Sequence, residues 1–128
     1  MIKMRETIKA FKALSDETRL RIMSILLERE CCVCEVMQAL NISQSRASRN
    51  LSVLLDAGFL KLRKDGLWSL YSLEGKPANE HLSDLIMVIT KALKGNPQIA
   101  LDHKRLMTAK RIGPGCEIKD LGCSKRPR

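Results

Sequence analysis

Val33-Cys34-Glu35-Val36-Met37-Gln38-Ala39-Leu40-Asn41-Ile42-Ser43-Gln44-Ser45-Arg46-Ala47-Ser48-Arg49-Asn50-Leu51 reads as two short helices joined by a tight turn. Val33, Val36, Met37 and Leu40 follow the i, i+3, i+4, i+7 spacing of one apolar helical face. Asn41-Ile42 interrupts that spacing, and Ser43 is a capping residue that opens the next helix. There Ala47, Leu51, Leu54 and Leu55 point inward, and Gly58 terminates the run. The other face carries Ser43, Gln44, Ser45, Arg46, Ser48, Arg49 and Asn50. Those side chains suit the edges of base pairs: Arg for guanine, Gln or Asn for adenine, Ser for phosphate. A helix-turn-helix of this kind lays its second helix in the major groove of double-stranded DNA.

Working outward, residues 1–13 form a first amphipathic helix with Ile2, Ile8 and Phe11 among its apolar positions. Ser15-Asp16-Glu17 starts a second, with Ser15 able to cap and both acids matched to the positive end of the dipole. Leu20, Met23, Leu26 and Leu27 continue it to about Arg29. Behind the groove helix, residues 59–63 and 67–73 read as strands around Asp65-Gly66, a strong hairpin signal. Arg63 and Lys64 near its tip are cations that can reach an adjacent phosphate or the minor groove. A long apolar-rich helix follows over 78–93, and Gly95-Asn96-Pro97 breaks it. The predicted fold is mainly α with a β-hairpin wing (α+β): a winged helix-turn-helix with helical dimerisation elements at both ends. Residues 1–95 form the DNA-binding and dimerisation domain, 96–111 a C-terminal helix, and 112–128 a basic tail holding Cys116 and Cys123.

The 128 residues fit one domain that needs no disulfide staples. Lys+Arg number 23 against Asp+Glu 14, a formal +9, which favours a polyanionic partner. Aromatic side chains are too few for base-stacking platforms on single strands. No apolar run approaches a membrane span of about 20 residues, and the charged N-terminus has no secretory h-region. A cytoplasmic location with reduced thiols follows as the expectation. No Ser/His/Asp or Cys/His set stands at recognisable spacing, so neither an enzyme nor an organic cofactor is expected.

Five cysteines are an odd number, and Cys31, Cys32 and Cys34 crowd into four positions. Soft thiolates in a cluster suit soft metals and metalloids. On a helix continued back to residue 31, Cys32 and Cys34 would lie about 160–200° apart. They could share an ion only if the helix start bent or unwound. Cys31 and Cys34, at i, i+3, would share a face. Zinc in structural sites takes four ligands at C-x₂₋₄-C spacing, which C-C-x-C is not. Thiol oxidation is a further reading, since a helix N-terminus lowers thiol pKa. His81 and Asp84 form one turn-spaced pair on the long helix and read as a solvated face, and His103 beside Asp102 reads as exposed.

Ala13-Leu14-Ser15-Asp16-Glu17-Thr18-Arg19-Leu20-Arg21-Ile22 resembles the "ALxDxTRLRI" opening of the ArsR/SmtB family of metal-responsive winged-helix repressors. The stretch from Ser43 to Gly58 resembles that family's recognition helix, and Arg63-Lys64-Asp65-Gly66 through Tyr71 its wing. The likeness spans roughly residues 6–93. It implies a homodimer that leaves its operator when an ion binds. Cys32-Val33-Cys34 before Glu35 resembles the "CVCD" box of arsenical, lead and cadmium sensors. In arsenical repressors a third thiolate commonly follows three residues later, where this chain has Met37. Cys31, Cys116 or Cys123 can take its place. The expected inducer is As(III) or Sb(III) on Cys31, Cys32 and Cys34, with cadmium, lead or zinc, or thiol oxidation, as alternatives. The dimer is expected through Ile8 and Phe11 of the first helix and Leu82, Leu85, Ile86 and Ile89 of the long helix.

Overall fold

The computed structural model describes residues 4–75 and 80–112. Helix α1 spans Met4–Leu14 and turns only Ala10 and Ala13 fully inward. Helix α2 spans Glu17–Glu28. Its cap is Asp16 and not Ser15: Asp16 is extended, and its carboxylate accepts from the Arg19 N–H at 3.1 Å. The Ser15 hydroxyl instead donates back to the Phe11 carbonyl at 2.8 Å. The α2 stripe also differs from the sequence reading. Ile22, Met23, Ile25 and Leu26 are buried, whereas Leu27 is exposed, because α2 is covered on several sides.

Helices α3 (Val33–Leu40) and α4 (Gln44–Asp56) form the helix-turn-helix. Asn41 between them is left-handed at φ 58°, a conformation that Asn tolerates better than most residues. Gly58, at φ +94°, lets the chain leave α4; an added Cβ there would stand 3.1 Å from Leu82. Strands β1 (Leu60–Asp65) and β2 (Trp68–Leu73) pair antiparallel, with Leu60 opposite Leu73 and Asp65 opposite Trp68. The hairpin loop is therefore Gly66-Leu67, and Asp65 ends the strand. Gly66, at φ +63°, takes the first loop position that needs positive φ.

Helix α5 covers Glu80–Ala92, and residues 76–79, where the sequence reading places its start, lie outside the described residues. Helix α6 (Pro97–Thr108) starts at Asn96, whose side chain accepts from the Gln98 and Ile99 N–H groups. It ends short of Arg111 and packs across α2 and α3. Asp102 fixes it there. This fully buried carboxylate accepts two hydrogen bonds from Arg21, each 2.8 Å, and Arg21 also donates to the Leu40 carbonyl. His103 is half-buried, not exposed, with its ring 2.8 Å from the Ser24 hydroxyl. The core gathers Ile22, Ile25, Met37, Leu40, Leu51, Leu54 and Phe59. Among the described residues no helix is long and apolar enough to cross a membrane.

Candidate thiol site and nucleic-acid interface

The three clustered cysteines part company at the start of α3. Helix α3 begins at Val33, so Cys32 is an extended capping residue (φ −86°, ψ 173°). That backbone brings the Cys32 and Cys34 sulfurs to 3.0 Å. The expectation that the pair meets only if the helix start unwinds is corrected: the helix has not yet begun at Cys32. Both cysteines are fully buried with Leu70 and the half-buried Trp68 of β2 in a small cluster separate from the main core.

Cys31 goes elsewhere. Its backbone bridges Tyr71 in both directions, at 2.9 and 2.8 Å, and its sulfur lies 3.6 Å from the Arg29 carbonyl. It packs into the main core, where burial first, and then the Glu35 carboxylate, push its thiol up to about 12. The expected Cys31-Cys32-Cys34 triad is thus not assembled, and among the described residues no three metal-ligating side chains converge. Met37 is buried in the core. Cys116 and Cys123 lie outside the described residues.

Several partners of the pair escaped the sequence reading. Glu35 Oε1 accepts from the Cys32 N–H at 2.8 Å and Oε2 from Arg29 at 2.8 Å. Arg111 adds a third hydrogen bond to Oε1, at 3.1 Å. Burial works to raise the Glu35 pKa, but these donors outweigh it and hold the carboxyl below its usual range. The Gln38 amide donates to the Cys34 carbonyl (2.9 Å) and to the Lys110 carbonyl (2.7 Å), and its oxygen accepts from the Lys110 N–H (3.1 Å). The Lys110 carbonyl itself lies 3.7 Å from the Cys34 sulfur. One signal was available: Glu35 stands where a capping box places its acid, three residues after the cap. Lys110 and Arg111 left no such trace.

The α4 face is open. Gln44, Ser45, Arg46 and Arg49 are exposed, Ser48 is half-buried, and Ala47, Leu51 and Leu54 are buried. Ser43 caps the helix by accepting from the Arg46 N–H. Arg46 reaches Thr18 at 2.9 Å. Asn50, expected on this face, turns inward: it accepts from Arg19 and donates to the Arg46 carbonyl, both at 2.9 Å. Arg19 in turn donates to the Ala13 and Lys12 carbonyls, tying α4 to the α1–α2 corner. On the wing, Arg63 forms a two-pronged ion pair with Glu30, and Lys64 donates to Ser69.

Ile8 and Phe11 of α1 are exposed, as are Met87 and Val88 of α5, while Leu85 and Ile86 are half-buried. Leu82 and Ile89, expected at a dimer seam, instead fill the chain's own core because α5 packs that edge on α2 and Gly58. His81 and Asp84 line an α1–α5 groove with Phe11, Leu85 and Val88.

These elements define a winged helix-turn-helix DNA-binding regulator. Its fold matches the homodimeric winged helix-turn-helix DNA-binding domain of a possible ArsR-family regulator from Mycobacterium bovis, solved in solution. That match has a TM-score of 0.60 at 24% identity, over 73% of this chain and 82% of that one. Residues 16–67 match the model for "Bacterial regulatory protein, arsR family". The chain is 37% identical over 87 residues to the arsenical resistance operon repressor of Bacillus subtilis (strain 168), covering 67% of this chain and 83% of that one. It is 42% identical over 82 residues to a cadmium resistance transcriptional regulatory protein CadC homolog of Staphylococcus aureus, covering 63% and 64%. The chain belongs to the arsR family of bacterial regulatory proteins. It is a transcriptional repressor of that family, and its relatives are regulators, not enzymes.

Proposed function

We propose that the protein binds operator DNA as a cytoplasmic homodimer and lets go when As(III) or Sb(III) is taken up by Cys32 and Cys34 with a third thiolate. The observation that carries this reading is the 3.0 Å sulfur pair, buried at the start of the helix that precedes the groove helix. The donor set fits. Ion–thiolate legs of about 2.3 Å meeting near a right angle span about 3.3 Å, so the pair needs only a few tenths of an ångström of opening. Each thiol that binds arsenous acid replaces a hydroxyl, the proton and hydroxide leave as water, and arsenic stays trivalent. Glu35 holds the Cys32 N–H and so fixes the backbone that carries the first sulfur.

Opening the pair presses on Leu70 and Trp68 of the wing and on the α3 start together. Helix α3 passes that displacement through Leu40, Asn41 and Ile42 to the capped start of α4. The groove helix and wing then lose their common match to DNA. Ser43, Gln44, Ser45, Arg46, Ser48 and Arg49 meet the groove in this reading, with Arg63 and Lys64 on phosphates. The dimer forms through Ile8, Phe11, Leu85, Ile86 and Val88, the apolar side chains that α1 and α5 leave uncovered.

One specific observation favours a second reading. Sulfurs already in contact can oxidise to a disulfide with little travel, which would make the same pair a redox switch. A gel-shift series with arsenite, antimonite, cadmium, lead, zinc and peroxide separates the readings. Release by arsenite and antimonite at the lowest concentrations is the expected result. Release by peroxide alone would establish the redox switch, and release by cadmium or lead alone would replace the metalloid.

A further inference from the structure

We infer that Thr18 and Arg19, at the start of α2, are positioning residues for Arg46, and that Thr18 sets how sharply Arg46 discriminates between base pairs. The inference rests on the reading that the exposed face of α4 enters the major groove. The two arginines of that face are unequal. Both are exposed, but Arg46 is held at its tip and at its root, whereas Arg49 carries no such tether among the described residues.

At the tip, an Arg46 Nη donates to the Thr18 hydroxyl at 2.9 Å. Thr18 is buried, so the acceptor is fixed while the arginine it holds stands in solvent. At the root, the Arg46 carbonyl accepts from the Asn50 amide, and Asn50 Oδ1 accepts from Arg19, both at 2.9 Å. Arg19 is itself pinned: its Nε and its other Nη donate to the Ala13 and Lys12 carbonyls at 2.7 and 3.1 Å. Those carbonyls belong to the last turn of α1, where a helix leaves acceptors without intrahelical donors. Two adjacent residues of α2 thus take hold of one arginine of α4, Thr18 directly and Arg19 through Asn50.

The chemistry favours a base edge as what this arginine meets. A guanidinium offers a planar fork of N–H donors, and Thr18 occupies only one of them. The rest still include the pair that makes parallel bonds to guanine N7 and O6. A base edge accepts that fork in one plane, whereas a phosphate fixes position without reading sequence. A side chain already held loses less freedom on docking. A held fork also cannot swing to suit a wrong base, so the tether penalises the competitor as well as favouring the match. Arg49, untethered, gains neither effect.

The test uses the duplex that the wild-type full chain selects from a random library, with a shuffled duplex of the same length as the non-specific control. Thr18→Val removes the acceptor and nearly keeps the shape; Arg46 then faces water, so no buried donor is stranded. Affinity for the selected duplex is expected to fall about 2–10-fold, the scale of one hydrogen bond, with the shuffled duplex held within about twofold. Single base-pair substitutions in the selected duplex should show discrimination relaxed at the same base pair where Arg46→Ala relaxes it. Thr18→Ala, which removes the acceptor without adding a methyl, should give the same pattern, and Thr18→Ser, which keeps the hydroxyl, should restore the wild-type values. Thr18→Val should cost nothing further in an Arg46→Ala background and its full factor in an Arg49→Ala background, since residues in contact couple and independent ones add. A general loss of fold would instead weaken both duplexes and add in both backgrounds. Additivity of Thr18→Val with Arg46→Ala, or discrimination relaxed at no base pair, would overturn the inference and leave the groove reading intact. If Arg46→Ala and Arg49→Ala both bind the selected duplex like the wild type, the groove reading fails and the inference falls with it.

Discussion

The starts of α3 and α4 follow one another in the chain and are built in opposite ways. At α3 the capping residue is Cys32, the acid that completes the cap is buried, and three segments converge on it: Arg29, Arg111 and the wing residues Leu70 and Trp68. At α4 the cap is Ser43, and Gln44, Ser45, Arg46 and Arg49 stand in solvent. A small soft ion requires the first arrangement, because thiolates must be gathered out of water and tied to whatever moves. A long polyanion requires the second, because it brings its own surface and needs only a helix face that nothing else occupies. In the proposed function, sensing and reading are separated by what surrounds two adjacent helix starts, with α3 as the rod between them.

The sharpest break in that comparison is a variant that loses one function and keeps the other. Cys32→Ser and Cys34→Ser should bind operator normally. Arsenite should lower operator affinity about 5–150-fold in the wild type and leave both variants unmoved, as read by gel shift. Arg46→Ala and Arg49→Ala should do the reverse, each costing about 1–3 kcal/mol of operator binding with arsenite titrations unchanged. If Arg46→Ala also weakens arsenite binding, the two starts are not separable and α3 is more than a rod.

Glu35 tests whether the α3 start is held as tightly as its contacts suggest. Glu35→Gln should destabilise the fold by about 1–3 kcal/mol, less than for a fully buried pair because Arg29 and Arg111 are partly exposed. The pH dependence has a definite sign. The folded-state carboxyl lies below its ordinary 4.5, so its contribution is fully present above about that pH. It is lost as pH falls through the depressed value. Urea melts between pH 6 and pH 3 should therefore show a steeper acid loss in the wild type than in Glu35→Gln. Parallel curves would mean that the Arg29–Glu35–Arg111 cluster adds nothing to stability.

The two starts also differ in how far the sequence discloses them. Ser43, the inward Ala47, Leu51 and Leu54, and the outward polar set were legible because capping chemistry and helical period are local properties. The wing was legible from Gly66, although the loop lies one residue later than Asp65-Gly66 suggested. The parting of Cys31 from Cys32 was not legible, since it depends on a bridge to Tyr71 forty residues away. Asn50 shows the same limit: a polar residue next to a groove face reads as a reader, and only tertiary packing reveals Arg19 behind it. His103 beside Asp102 read as exposed, because nothing local announces that Arg21 will meet Asp102 in the core.

The smallest expected effect concerns the wing, which the proposed function gives a part in both sensing and reading. Arg63 was read as a phosphate contact, yet its guanidinium is gripped by Glu30, one residue before the cysteine cluster. The hydrogen bond from Arg63 leads in holding the Glu30 carboxyl below its usual range. On bound DNA, Glu30 and a phosphate would compete for one exposed cation, and the outcome would decide whether Arg63 belongs to the reading surface or to the proposed sensing side. Replacing Glu30 with Gln removes the competing charge without shortening the side chain. If Arg63 meets phosphate, log affinity should then depend more steeply on log salt by up to about 0.9, the release expected of one extra phosphate contact. Operator affinity should rise slightly at low salt, and arsenite binding should stay as it was. Adding Arg63→Ala to Glu30→Gln should return the slope to the wild-type value, because Arg63 is the side chain the change sets free. A slope that ignores both substitutions would leave Lys64 as the wing's phosphate contact and assign Arg63 to the segment that carries the thiols.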